Sequence, residues 1–212
     1  MFKTIDQNIE AEIVEKKSKF IANVFYVESV EEAEEYIRKI KKEHKLARHN
    51  CYAFSVFSRE GITDRFSDDG EPSGTAGAPM LNIISSKKIT NILVVVTRYF
   101  GGILLGTGGL VRAYTGAFQE ALDKVNIIEK ELGKFVRFVV SYQDLEKFKY
   151  YLKQNEIDII NSNFIENVEI EVDITEKKLE ELEIRLNDLN FNIIERIVLE
   201  DKYIIKKEKS ED

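Results

Sequence analysis

Glycine placement constrains this chain more than any other feature of its sequence. Nine of its 11 glycines lie between Gly70 and Gly116, and none follows Gly133. A glycine costs backbone entropy on folding, so a cluster of them marks special turns or the close approach of another group. A stretch without any must be built from ordinary helices and strands. Both prolines, Pro72 and Pro79, fall in the same glycine-rich region. Two domains are therefore expected, residues 1–132 and 133–212, with the boundary near Leu132–Gly133. The charges divide at the same place: 18 Lys+Arg against 19 Asp+Glu up to Leu132, then 13 against 19.

The second part has a clear rhythm. Lys134 to Ser141 is β-branched and aromatic, as a strand prefers. Tyr142 to Gln154 places Leu145, Phe148, Tyr151 and Leu152 at helical spacing. Ile157 to Phe164 and Asn167 to Ile174 follow as strands, with Asn163 or Asn167 available for the turn between them. Thr175 is placed to cap a helix whose buried stripe is Leu179, Leu182, Leu186 and Leu189. Phe191 to Ile205 closes with a strand, and the charged tail Lys206 to Asp212 is expected to fray. The order β-α-β-β-α-β predicts a four-stranded antiparallel sheet covered by two helices, the ferredoxin-like arrangement.

The first part mixes both element types, so the chain as a whole is predicted to be α+β. Strands are expected at Ala11 to Glu15 and Phe20 to Val27, joined by a turn at Lys16 to Lys19. Ser29 can cap a helix reaching about Lys45, acidic at its start and basic at its end, which complements the helix dipole. Cys51 to Ser58 alternates as a strand. Thr75 to Ser86 reads as a helix, and Ile92 to Arg98 as a buried strand. A glycine turn and a helix from about Gly109 to Lys124 follow.

Two glycine-rich segments could carry chemistry. The first, Asp68 to Pro79, holds three carboxylates, Asp68, Asp69 and Glu71. They could hold a metal through water, or they could form a turn and helix entry by accepting backbone N–H bonds. The turn is the favoured reading, and Arg98 or Arg112 could pair with these acids. The second segment, Thr97 to Arg112, leads from a strand into a helix. There Gly106, Thr107, Gly108 and Gly109 could present N–H groups to an anion, with Arg98 and Arg112 adding positive charge. The same glycines could instead only permit tight packing. Neither a Walker loop nor a dinucleotide fingerprint is present, since Val111 stands where the latter needs Gly or Ala.

A third candidate is the basic stretch Arg38 to Arg48, six cations against Glu43. Lys41, Lys42, Lys45, Arg48 and His49 could track a phosphate backbone, or they could be a solvated helix end. His49 and Cys51 share one face of a strand, yet a lone cysteine in an apolar strand is more often core. No acylation triad stands out. The residues therefore point to no catalytic set, no metal centre and no cofactor. The single cysteine excludes an internal disulfide. An acidic amino terminus and the lack of a long apolar run predict a cytoplasmic protein with no membrane partner.

Asp68 to Leu81 (DDGEPSGTAGAPML), Thr97 to Tyr114 (TRYFGGILLGTGGLVRAY) and Arg48 to Phe54 (RHNCYAF) resemble the signature of the IMPACT family, including its bacterial YigZ-like members. The resemblance implies a first domain like domain IV of elongation factor G, a βαβ module of the ribosomal-protein type. It also implies a ferredoxin-like second domain, and it carries no catalytic residues over. Eukaryotic members are linked to translational control. The resemblance thus implies a non-enzymatic protein whose partner is RNA, the ribosome or a translation-related protein. The rival expectation is a small enzyme or nucleotide sensor, with a metal-phosphate site built from Asp68 to Glu71 and Gly106 to Gly109.

Overall fold

The computed structural model describes residues 1–58, 61–188 and 193–206. The chain divides into two compact units, Phe2–Ile128 and Glu129 onward. The architecture is α+β, with a separate core in each unit and two five-stranded sheets, one of which pairs Phe2–Ile5 with Ile127–Val140.

The first unit runs β1 (Phe2–Ile5), β2 (Ile9–Glu15), β3 (Ser18–Tyr26), α1 (Val30–Glu43), β4 (His49–Ser58), β5 (Gly61–Ser67), α2 (Gly77–Ser86), β6 (Ile92–Tyr99) and α3 (Gly106–Leu122). Its sheet has the order β2-β3-β6-β4-β5, with every neighbouring pair antiparallel. The unbroken apolar run of β6 has a direct cause: both faces of the sheet are covered. Ile92, Val94 and Val96 pack with Met80 and Ile84 of α2 and with Tyr114 and Phe118 of α3. Leu93 and Val95 point the other way, into a core with Ala33, Ile37 and Ile40 of α1. Ser29 caps α1 by accepting from the Glu32 N–H, as its position predicts. The β2–β3 connection is a two-residue turn in which Lys16 and Lys17 both hold positive φ, 45° and 66°. That is the geometry a right-twisted hairpin prefers, here built without glycine.

The second unit contains the rest of β7 (Ile127–Val140), α4 (Leu145–Gln154), β8 (Ile159–Phe164), β9 (Val168–Thr175), α5 (Glu176–Asp188) and β10 (Ile193–Ile205). The strands lie in the order β10-β7-β9-β8, all antiparallel, which is the ferredoxin-like order predicted from the pattern. Val136, Phe138 and Val140 of β7 and alternate residues of β9 meet Phe148, Leu152, Leu179 and Leu182 in one core. The Thr175 hydroxyl accepts from the Lys178 N–H and starts α5.

Four details differ from the sequence reading. β7 begins at Ile127, so Gly133 sits inside a strand, paired with Thr175 and Lys202. A Cβ there would meet the Ile174 carbonyl oxygen at 2.7 Å, which explains a glycine in mid-strand. The edge strands β1 and β5 are additional. Helix α3 starts at Gly106, so the expected turn residues Gly106 to Gly109 form its first turn. The Lys206 N–H is bonded to the Glu129 carbonyl rather than frayed. Leu189 of the expected helix stripe, Phe191 at the start of the last strand, and the tail beyond Lys206 lie outside the described residues.

Candidate nucleic-acid interface at one end of the first sheet

Strand register brings the singled-out residues to one end of the sheet. His49 of β4 lies opposite Arg98 of β6, and Tyr99 opposite Lys19 of β3, next to the Lys16–Lys17 turn. On the far side Tyr52 pairs with Ser67, the last residue of β5, so the acidic loop emerges at the same end. His44, the C-cap of α1, meets the Tyr99 hydroxyl through Nδ1 at 2.9 Å and ties the basic helix end to β6.

The three acids of the loop each have a separate task. Asp68 accepts from the Gly74 N–H through Oδ2 and from the Ala76 and Gly77 N–H groups through Oδ1. It therefore caps α2 from outside the helix. Burial pushes its carboxyl pKa up, but the bonds from Gly74, Gly77 and Ala76 outweigh this and hold it below the ordinary value. Asp69 holds a positive φ of 44°, binds Lys41 Nζ at 2.6 Å and accepts from the Asn50 N–H at 2.7 Å. Glu71 is buried, and its Oε1 accepts from Arg98 at 2.6 Å and from the Tyr114 hydroxyl at 2.8 Å. Among the described residues no three His, Cys, Asp or Glu side chains are grouped to hold a metal ion.

The Arg98 guanidinium is flanked by two rings, Phe20 and Phe100, each 5.5 Å from it to the ring centroid. Phe20 is fully buried and Phe100 half exposed, so Arg98 spans from core to surface. Its side chain is only 7% exposed, and that of Glu71 4%. This is a structural ion pair, and Arg98 is unavailable as a surface phosphate contact. Lys41 is likewise committed, to Asp69. Of the other expected cations, Lys42, Lys45, Arg48 and Arg112 are exposed, and none makes an ion pair among the described residues. Sequence reasoning took Lys16 and Lys17 only as a turn. Both are exposed at this end, and their charge on a hairpin tip was the signal available.

Cys51 and His49 do not form a nucleophilic pair. The Cys51 thiol donates to the Asp68 carbonyl at 2.9 Å, while His49 Nδ1 lies 2.9 Å from the Asp69 carbonyl. A carbonyl only accepts, so Nδ1 carries the proton. Burial above all, opposed by a Tyr114 hydrogen bond and helped by the charges of Glu71, Asp69 and Asp68, pushes the thiol pKa up to about 12. Burial raises the Tyr114 phenol as well. Neither group is ionised near neutral pH, so neither is an activated nucleophile.

Only some of the second loop's glycines are sterically required. Gly101 lies directly on the hairpin: a Cβ would sit 2.0 Å from the backbone carbon and oxygen of Lys17, and its N–H donates to Ser18 Oγ. Gly108 has no such need, because a Cβ there would meet only the Arg112 guanidinium at 3.6 Å.

Comparison with known proteins gives this arrangement a context. Residues 16–122 match the Impact N-terminal domain, and residues 138–189 match a domain of unknown function, DUF1949. The IMPACT family member YvyE of Bacillus subtilis is 40% identical over 82% of this chain and 80% of its own length. YigZ of Escherichia coli, also an IMPACT family member, is 35% identical over 88% of this chain and 92% of its own. A crystal structure of a protein described as hypothetical is 33% identical and superposes with a TM-score of 0.62, covering 94% of this chain and 97% of that one. With its signature segments gathered at one end of the first sheet and a ferredoxin-like unit behind them in sequence, the chain belongs to the IMPACT family.

Proposed function

We propose that the chain works without catalysis, docking onto RNA of the translation machinery through the cationic end of its first sheet. One observation carries the reading. Lys16, Lys17, Lys42, Lys45, Arg48 and Arg112 are exposed without ion pairs among the described residues, while Asp68, Asp69 and Glu71 nearby are bonded within the protein. Glu15 and Glu43, next in sequence to Lys16 and Lys42, are exposed acids. Unpaired surface cations concentrated on an otherwise acidic protein favour a local anionic partner, and a phosphate backbone is the commonest one. The translation context rests on the family signature, whose eukaryotic bearers are linked to translational control.

The rival metal-phosphate enzyme would need free carboxylate oxygens facing solvent beside the α3 start. The carboxylate bonds described above argue against it. A phosphate interface has a defined signature, because each contact releases counterions and log affinity falls linearly with log salt. The full chain is expected to co-sediment with ribosomes at low salt and to dissociate progressively as salt rises. Association that is indifferent to salt would refute a phosphate-dominated contact.

A further inference from the structure

We propose that Phe100 is a stacking platform for an unpaired base, so that this surface takes single-stranded rather than duplex RNA. The inference rests on the RNA reading above and narrows its ligand. Phe100 is 50% exposed at the end of β6, a large apolar side chain left in water. The Arg98 guanidinium lies against its ring, and Glu71 holds that guanidinium in place. The ring is thus backed by a fixed buried cation while half its surface stays open.

The segment carrying the ring is also fixed. Gly101 rests on the Lys17 backbone and donates to Ser18 Oγ, and the preceding residue, Tyr99, holds His44. Phe100 therefore stands between two cationic elements: the Lys16–Lys17 hairpin tip on one side and the α1 end with Lys42, Lys45 and Arg48 on the other. An aromatic face flanked by cations is the pattern that single strands use, with bases on the ring and phosphates on the cations. A duplex keeps its bases stacked on one another and cannot offer a free face. Ile103 and Leu104, three and four residues on, are exposed as well.

The test uses the full chain and two labelled RNAs of about a dozen nucleotides, one unstructured and one a perfect duplex. Phe100→Leu keeps the apolar bulk and removes the π face; Phe100→Tyr keeps both. Phe100→Leu is expected to weaken single-strand binding roughly 5- to 150-fold, the range for losing one base–aromatic stack. Its salt slope should not change, because no phosphate contact is lost, and Phe100→Tyr should bind like the parent. Less than about a twofold loss for Phe100→Leu, with Lys42→Glu and Lys45→Glu still abolishing binding, would overturn the stacking inference and leave the RNA reading standing. Failure of the parent chain to bind either RNA at low salt would overturn both. Intact RNA binding with lost ribosome association in Phe100→Leu would assign the ring to a protein partner, and the stacking inference would again be wrong.

Discussion

Glu71→Leu is expected to destabilise the first unit by about 3–5 kcal/mol, the cost of leaving a buried charge without its partner. At about 3 °C per kcal/mol this is a fall in melting temperature of roughly 10–15 °C. The size follows from where the pair sits. The side chains of Arg98 and Glu71 are 7% and 4% exposed, so water cannot solvate the orphaned guanidinium. The Tyr114 hydroxyl loses its acceptor in the same substitution. The double variant Glu71→Leu, Arg98→Met removes both charges and should recover a large part of the loss, since apolar replacements of buried pairs are often neutral. The exposed Lys124–Glu120 pair, with side chains 45% and 47% exposed, is the internal control, and breaking it should cost less than about 1 kcal/mol. Thermal unfolding of the four proteins checks the account, and a Glu71→Leu loss as small as the control would contradict it.

Gly101→Val is the second substitution with a large expected effect. A Cβ at this position overlaps the Lys17 backbone at 2.0 Å, and backbone cannot rotate aside as a side chain can. The hairpin tip must move away from the end of β6, breaking the Gly101 bond to Ser18. Overpacking of this kind costs about 1–3 kcal/mol and more where backbone is the obstacle. Gly108→Ala is the contrast. It stands in the first turn of α3 with open space around it, so replacing a helical glycine should be neutral or stabilising by up to about 1 kcal/mol. Denaturant titration of both variants reads the difference; equal losses would mean that the glycines act through something other than this contact.

The ferredoxin-like unit was legible because each of its elements buries one face, and that periodicity is written in the residue order. Leu145, Phe148 and Leu152 mark a helix whether or not its partners are known. β5 was not legible for the opposite reason. It is an edge strand whose apolar residues, Ile62 and Phe66, are themselves exposed, at 59% and 49%, so no buried alternation appears in Gly61–Ser67. The start of α3 was hidden by helix propensity, since three glycines in four residues argue for a turn until the packing of Leu110 and Tyr114 extends the helix backwards.

At the site, the residue types were readable and their availability was not. Nothing local distinguishes Lys41 from Lys42, yet one is held by an aspartate 28 residues away and the other makes no ion pair among the described residues. Arg98 was open to two readings, an anion contact or a partner of the acidic loop, and its bond to Glu71, 27 residues back, decides for the second. Pairing at such separations is a property of the folded sheet, and the spacing of charges along the chain does not encode it. The Lys16–Lys17 turn was recognised for its geometry. Its placement against Gly101, at the end of β6, emerges only from the register of β3 and β6.

Charge reversal of the free cations tests the account most directly. Lys42→Glu, Lys45→Glu and Arg48→Glu in one protein remove three exposed charges that hold no ion pair among the described residues, so the fold should lose only the favourable dipole interaction at the α1 end, about 0.3–1 kcal/mol per charge in the last turn. Each lost contact to a single strand lowers the log–log salt slope by roughly 0.7, and three lower it by roughly 2. The measurement is the affinity of parent and variant for one single-stranded RNA across a salt series. The account predicts a much weaker variant with a slope shallower by about that amount; an unchanged slope and affinity in a folded variant would show that these lysines and this arginine are only a solvated helix end.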